Sequence, residues 1–231
     1  MLTGSELAII ALSLKVAATA MAVALPFAFF VAWALARWQF RGRGLLQAVT
    51  TLPLVLPPVV TGYALLVWFG ANGPLGWFLR ETTGLEFAFR WTGAALAAAV
   101  MGFPLLVRPI RLSLEAIDPG LEEAAETLGA GRLRILVTVV LPLAFPGILA
   151  GIILGFAKAL GEFGATITFV SNIPGQTQTL SLAIYSLLQS PTGDAAALRL
   201  IGFSVLLAVG AILASEWVSA RLHSAKKARN G

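Results

Sequence analysis

The side chains that most often carry catalysis are nearly absent from this sequence. Its 231 residues include no cysteine and one histidine, so thiolate nucleophiles, disulfides and cysteine metal sites are excluded. The sequence contains no glycine-rich phosphate loop, no cluster of metal-ligating residues and no Ser/His/Asp set. The single histidine, His223, lies in a basic C-terminal stretch, where a solvated side chain is expected. We therefore predict that the chain is not an enzyme by itself and binds no metal or cofactor of its own.

With catalysis set aside, the main functional candidate is the charged stretch from Glu115 to Arg134, whose pattern indicates a short helix. Asp118 is a favourable N-cap, Pro119 suits the first helical position, and Gly129 suits the C-terminal stop. Glutamates in the early turns complement the helix dipole, namely Glu122, Glu123 and Glu126. The pattern predicts about three helical turns.

One face of this helix is apolar. Its members follow the spacing i, i+3, i+4, i+7, namely Leu121, Ala124, Ala125 and Leu128. Such a compact stripe suits docking into a groove on a partner protein. The alternative is a helix lying on lipid headgroups, which would be expected to carry a basic polar face. Because the polar face here is acidic, docking is favoured.

The elements that position this helix must lie in a membrane. Hydrophobic residues make up 58% of the chain and charged residues 12%, against about 25% charged in soluble proteins. Mean hydropathy is +0.87. The net charge of +5 does not indicate nucleic acid, because the basic residues lie between apolar segments, where they set membrane topology.

About five segments are long and apolar enough to cross a bilayer. They are expected within Leu7–Ala36, the first two-thirds of Gly44–Leu79, Trp91–Val107, Ile135–Ala157 and Leu200–Ser215 with Trp217 and Val218. The uncharged region Phe163–Gly193 is not counted, since a polar break separates Phe163–Val170 from Leu180–Leu188 and each is too short to cross alone. We predict an outer loop with short helices there.

Charge bias predicts the orientation of these spans. With five spans and the N-terminus in the periplasm, three basic clusters and the C-terminus fall in the cytoplasm, as the positive-inside rule requires. The clusters are Arg37, Arg41 and Arg43; Arg108, Arg111, Arg132 and Arg134; and Arg221, Lys226, Lys227 and Arg229. They contain 11 of the 16 basic residues.

The charged stretch resembles the EAA loop of ABC importer permeases. It contains Glu123-Ala124-Ala125, Gly129 after three further residues, and Leu141-Pro142 at the family spacing, with Val139 where the family has Ile. The segments Leu12–Val16, Leu52–Val60, Gly161–Thr166 and Ser171–Thr177 are similar to the molybdate branch of these permeases. The resemblance implies an all-α type I ABC importer permease fold, with residues 1–231 forming one domain and residues 115–142 its cytoplasmic coupling loop.

The resemblance also implies partners and candidate coupling residues. An ATP-binding subunit in two copies would hold ATP and Mg²⁺, a periplasmic oxyanion-binding protein would deliver substrate, and a second copy of the chain would complete the path in the bacterial inner membrane. No nucleic acid is expected. The coupling residues carried over are Leu121, Glu123, Ala124, Ala125, Leu128, Gly129, Leu141 and Pro142.

An oxyanion that crosses the membrane needs hydrogen-bond donors along its path, but a high-affinity site would prevent its release. Candidates for the path or its gate are Pro57, Pro58, Glu162, Thr166, Thr168, Ser171, Asn172, Gln176 and Thr177. The prolines either bend a path-lining helix or mark a helix start. The polar residues either face the path or satisfy loop backbone. Glu162 is expected to pair with Lys158 at i, i+4, structurally or functionally.

A third set of candidates concerns helix packing. Gly147, Gly151 and Gly155 form a small-residue face that would pack within the chain or across a dimer, and the resemblance favours the dimer.

Taken together, these motifs and the resemblance predict the permease subunit of an ATP-driven molybdate importer. Sulfate, thiosulfate or tungstate permeases are alternatives within the family. A self-contained anion channel or secondary transporter is the alternative from another class.

Overall fold

Every regular element in the part of the chain that the structure describes is a helix. The computed structural model describes the backbone of residues 3–229 and the side chains of residues 3–214 and of Trp217. The helices are α1 Gly4–Arg37, α2 Arg43–Val55, α3 Pro58–Phe69, α4 Pro74–Thr83, α5 Trp91–Glu115, α6 Pro119–Thr127, α7 Arg132–Ile135, α8 Leu141–Leu160, α9 Gly164–Val170, α10 Leu180–Leu188 and α11 Asp194–Arg229. A π-helical turn, Leu136–Val140, joins α7 to α8.

Four of the described helical segments are long and apolar enough to cross a membrane. They are Gly4–Arg37, Trp91–Glu115, Arg132–Leu160 and Asp194–Ala214. The helices α2 and α3 pass the same test together, but they meet at an angle of 113°. Counting this bent pair as one span gives the five spans that the sequence predicts.

The third span is longer than the sequence predicts. The apolar pattern ends near Val107, whereas α5 continues to Glu115 past Pro109. Its last two turns remain helical because Ile110 and Leu114 are fully buried in the same core as the rest of the bundle. Burial of these two side chains holds a segment whose arginines and proline alone would favour an end.

The core lies where α5 packs between α1 and α8. Small side chains line the α1–α5 contact, among them Ala17, Ala24 and Ala28 from α1 and Ala94 and Ala97 from α5. Their small volume lets the helix backbones approach closely, which is how helices associate in lipid. Large apolar side chains such as Phe27, Phe30 and Leu206 face outward, as expected of a surface in contact with acyl chains.

Ion pairs define two ends of this bundle. At the α6 end, Arg37 at the end of α1 pairs with Glu122 of α6. At the opposite end, Arg199 near the start of α11 pairs with Glu6 near the start of α1 at 2.7 Å. The basic cluster of residues 221–229 was predicted to lie at the α6 end, but its side chains are outside the described residues.

The two short segments flanking the polar break form short helices, as the sequence predicts. The predicted ranges Phe163–Val170 and Leu180–Leu188 appear as α9 and α10. Helix α9 packs on α3 and α5, and α10 packs on α11. These contacts bury one side of each helix, at Phe169 in α9 and at Leu180 and Leu182 in α10, which permits short helices beside protein at membrane depth.

Candidate functional site

The local sequence of α6 fixes its beginning and its end. The Asp118 carboxylate accepts a hydrogen bond from the backbone N–H of Gly120 at 2.9 Å. At the other end Gly129 adopts φ +82°, and the Ala130 N–H donates to the Ala125 carbonyl at 3.0 Å. This is the hydrogen-bond pattern of a Schellman stop, which requires a left-handed residue where Gly129 stands. The helix is therefore a short, closed unit between α5 and α7.

The predicted apolar stripe of α6 is divided between two faces. Leu121 is 48% exposed and Leu128 87% exposed, and Ala124 and Glu123 are exposed beside them. Ala125 faces the other way and packs against the core. Glu123 forms no ion pair or hydrogen bond among the described residues. An unpartnered surface with an apolar centre and acidic flank is thus available at this end of the molecule.

Glu122 and Ala125 attach α6 to the bundle. The Arg37 guanidinium donates to the Glu122 carboxylate at 2.5 Å, with both side chains at least three-quarters buried. Ala125 lies against the same buried cluster as Ala130. A force applied to the exposed face of α6 would therefore reach α1 and the segment leading into α8.

Leu141 and Pro142 lie apart from the exposed face of α6, at the start of α8. The Leu141 N–H donates to the Leu136 carbonyl, five residues back, which makes the turn wider than an α-helical one. Pro142 follows directly and has no N–H to continue the ladder. These two residues thus shape the connection between α7 and α8, and the sequence did not predict the π-helical turn.

The three glycines of α8 face helices of the same chain. A Cβ on Gly147 would lie 2.5 Å from the Pro109 carbonyl oxygen, and one on Gly151 would lie 2.9 Å from that of Leu106. A Cβ on Gly155 would lie 2.6 Å from Met21 Sδ of α1. Within the described chain this face is occupied by α5 and α1, whereas the resemblance had favoured a dimer contact.

The two broken helices meet each other. The break between α2 and α3 lies at Leu56–Pro57, and the break between α8 and α9 lies at Gly161–Phe163. A Cβ on Gly164 would lie 2.7 Å from Pro58 Cβ, and one on Gly62 would lie 2.5 Å from the Ala165 carbonyl oxygen. The chain bends before Pro58 and α3 begins there, so the predicted helix start is present, whereas the place of these prolines on the path stays a prediction.

Glu162 stabilises this junction. It is 2% exposed, its Oε1 accepts from the Ala165 N–H at 3.0 Å, and its Oε2 accepts from Lys158 Nζ at 2.8 Å. The carboxylate thus caps α9 and pairs with the last turn of α8 at once. Nearby, the buried hydroxyl of Thr61 has no partner among the described residues.

The remaining path candidates do not form one surface. Thr166 is buried, and the Thr168 hydroxyl donates to the Gly164 carbonyl. Thr177 is fully buried and donates to the Ser171 carbonyl at 3.0 Å, while Asn172 donates to the Ser186 hydroxyl. These contacts satisfy loop backbone and join the polar break to α10. Only Gln176 reaches a large open cleft.

That cleft lies at the end of the bundle opposite α6 and has a volume of about 670 Å³. Lys15 lies in it with its ammonium group 3.7 Å from the centre of the Trp91 ring. Arg90 also lines the cleft and pairs with Glu86 at 2.6 Å. No group of three or more metal-ligating side chains occurs among the residues that the structure describes.

Comparison with known proteins identifies the family. Residues 24–224 match the family described as the binding-protein-dependent transport system inner membrane component. The chain belongs to this family. It is thus a multi-pass permease of the inner membrane, the membrane component of an ABC importer and not its ATPase. Permeases of this kind work with an ATPase subunit and a periplasmic binding protein.

Curated relatives of the permease cover nearly its whole length. The molybdenum transport system permease protein ModB of Haemophilus influenzae is 55% identical over 217 residues, which is 94% of this chain and 95% of the relative. ModB of Escherichia coli K12 is 55% identical over 218 residues, with the same shares covered. The sulfate transport system permease protein CysT of Salmonella typhimurium is 41% identical over 184 residues, 78% of this chain and 66% of the relative.

Solved structures show the same fold. A bacterial ABC transporter involved in the import of the acidic polysaccharide alginate superposes with a TM-score of 0.72 at 18% identity, covering 95% of this chain and 80% of that one. An amino acid ABC transporter gives a TM-score of 0.62 at 17% identity, covering 94% of each chain. The type I ABC importer permease fold predicted from the sequence is therefore confirmed.

Sequence reasoning about the permease missed features that depend on residues distant in the chain. The contact of Lys15 with Trp91 and the ion pair of Glu6 with Arg199 join segments about 76 and 193 positions apart. Only the isolated occurrence of each charge in an apolar segment signalled that it needs a partner.

Proposed function

We propose that this permease carries molybdate across the inner membrane in an ATP-driven importer. The 55% identity to ModB proteins over 94% of the chain supports the substrate. A periplasmic oxyanion-binding protein delivers the anion, and two ATP-binding subunits hold ATP and Mg²⁺. Residues 1–231 act as one permease domain, and a second copy completes the path.

The coupling part of this proposal rests on one observation, the exposed face of α6. Residues 115–142 form the coupling loop, and the side chains that dock into the ATP-binding subunit are those left uncovered by the bundle: Leu121, Glu123, Ala124 and Leu128. We assign this α6 end to the cytoplasm, as the charge bias predicts. Gly129, Leu141 and Pro142 act indirectly by shaping the ends of the loop.

The contacts on the bundle side of α6 transmit its movement to the membrane-spanning helices. ATP binding moves α6, and the Arg37–Glu122 pair and Ala125 pass that movement to α1 and α8. The junction of the two broken helices, at Pro58 and Gly164, is the place where the bundle can bend. ATP binding thus switches the path from inward-open to outward-open, and hydrolysis resets it.

Reconstitution tests the proposal directly. The permease with its ATP-binding subunit and cognate binding protein, in proteoliposomes, is expected to accumulate radiolabelled molybdate only with ATP. Sulfate is the control substrate, because the chain is also 41% identical to CysT. Uptake of sulfate without molybdate would refute the substrate, and flux through the permease alone would refute the importer.

A further inference from the structure

A second cleft opens between α2 and α5 near the α6 end of the bundle. Its volume is about 590 Å³. We call it the α2–α5 cleft; its polar lining residues are Gln47, Thr50, Thr51, Arg108, Arg111 and Glu115. None of these residues belongs to the exposed face of α6 or to the junction of the broken helices, so the proposal above assigns the α2–α5 cleft no part in docking or bending.

The charge of the α2–α5 cleft is positive. It contains two arginines and one glutamate, which gives a net charge of +1. Glu115 is already neutralised, since it accepts from Arg111 Nε at 2.8 Å and lies 3.8 Å from Arg43. Arg108 forms no ion pair or hydrogen bond with any residue that the structure describes. One unpaired guanidinium therefore dominates the field in the cleft.

Arg108 is an exposed side chain of the described chain, and it lines the α2–α5 cleft within the helix and not at the helix end. It precedes the last residue of α5 by seven positions, about 10 Å along the helix axis. Pro104 and Leu105, about one turn further from the end of α5, also line the cleft. An arginine that faces a water-filled cleft in a membrane protein can bind a counter-charge there, and such residues commonly mark ion pathways.

The hydrogen bonds of the α2–α5 cleft favour an acceptor-rich ligand. Gln47 Oε1 accepts from Arg111 Nη1 at 3.1 Å, so the Gln47 amide N–H groups are left to bind a ligand. The hydroxyls of Thr50 and Thr51 donate to carbonyls of their own helix. The free donors are thus the Arg108 fork and the Gln47 amide, a combination suited to the oxygens of a tetrahedral oxyanion.

We propose that the α2–α5 cleft is an exit subsite, where the transported oxyanion is held on Arg108 before release at the α6 end. This rests on the proposed function. A single, solvent-accessible guanidinium holds an anion weakly, which suits a site that must let it go. A phospholipid headgroup offers the same chemistry, so the experiment must separate a free oxyanion from lipid.

The absence of cysteine from the chain supplies a specific probe. Thr51→Cys places one thiol in the α2–α5 cleft of each permease copy of the assembled transporter, whose ATP-binding subunit is made cysteine-free. In inside-out vesicles the thiol is labelled by an anionic or a cationic methanethiosulfonate. In water, one unit charge at a separation of roughly 6 Å would change each rate about threefold, so Arg108→Gln is expected to lower the anionic-to-cationic rate ratio up to about tenfold.

Two comparisons complete the test. Added molybdate is expected to slow labelling of Thr51→Cys but not of the double variant with Arg108→Gln. The matched control is Arg41→Gln in the Thr51→Cys background, since Arg41 is exposed and unpaired among the described residues but does not line the cleft. That control is expected to keep both the rate ratio and the protection.

Three results would overturn the exit subsite. They are a rate ratio unchanged by Arg108→Gln, protection by anionic lipid but not by molybdate, and a thiol that is labelled only after denaturation. Molybdate uptake by the wild-type transporter is measured in parallel. Uptake of molybdate without protection of the thiol refutes the exit subsite alone. Absence of uptake refutes the proposed function, and the effect of Arg108→Gln on the rate ratio then still tests whether Arg108 sets the charge of the cleft.

Discussion

Replacement of Leu128 by alanine tests whether the exposed face of α6 docks into the ATP-binding subunit. Leu128 is 87% exposed, so its removal should leave the permease itself stable. The change deletes about three methyl or methylene groups, each worth about 0.8 kcal/mol when buried in an interface. Scaled by the exposed fraction, the loss is about 2 kcal/mol, which corresponds to about a 30-fold higher Kd.

The assay is the affinity of the detergent-purified permease for its ATP-binding subunit, followed by ATP-driven molybdate uptake. Leu198→Ala is the matched control, because Leu198 of α11 is 68% exposed but lies at the opposite end of the bundle. It is expected to bind the subunit like wild type. A Kd for Leu128→Ala within threefold of wild type would refute the docking face and favour a helix resting on lipid.

Three further substitutions examine the charge, the packing and the ion pair. Glu123→Lys should weaken binding of the ATP-binding subunit at low salt and much less at high salt, since an exposed charge is screened; a salt-independent loss would contradict a simple electrostatic role. Gly151→Leu should lower the thermal midpoint of the purified permease because its Cβ meets the backbone of α5, whereas Gly202→Leu, in open space, should not; equal midpoints would contradict the packing. Glu162→Gln should lower the free energy of unfolding by about 1–3 kcal/mol, because it leaves Lys158 without its carboxylate partner. If the pair is structural, adding Lys158→Met should recover part of that loss.

The parts of this fold that the sequence predicted depend on local pattern. The ends of α6 follow from Asp118 and Gly129, whose side-chain cap and positive φ are properties of single residues. The bounds of α9 and α10 follow from the polar residues between them. These features need no knowledge of what the segment contacts, and therefore one sequence is enough.

The parts that it missed depend on contacts between distant segments. The spacing predicts one continuous stripe on α6, but Ala125 faces the bundle, to which the Arg37–Glu122 pair also attaches the helix. The glycine face of α8 has a clear spacing, yet spacing does not say whether α5 or a second copy fills it. The direction that a side chain faces is decided by its neighbours and not by its own segment.

The packing around α5 and the two helix breaks divide the permease into parts that are held firmly and parts that can bend. Helix α5 is continuous over 25 residues and is held on both sides by alanines and by the glycine face of α8. This packing on both sides is expected to limit bending of α5 at its internal prolines, Pro104 and Pro109, so that a displacement of α6 at its end moves α5 together with α1 and α8. The helical chain is interrupted between α2 and α3 and between the end of α8 and α9, and the residues that follow these breaks, Pro58 and Gly164, are in contact. We therefore expect the junction of the broken helices to be the element that changes shape when the path opens.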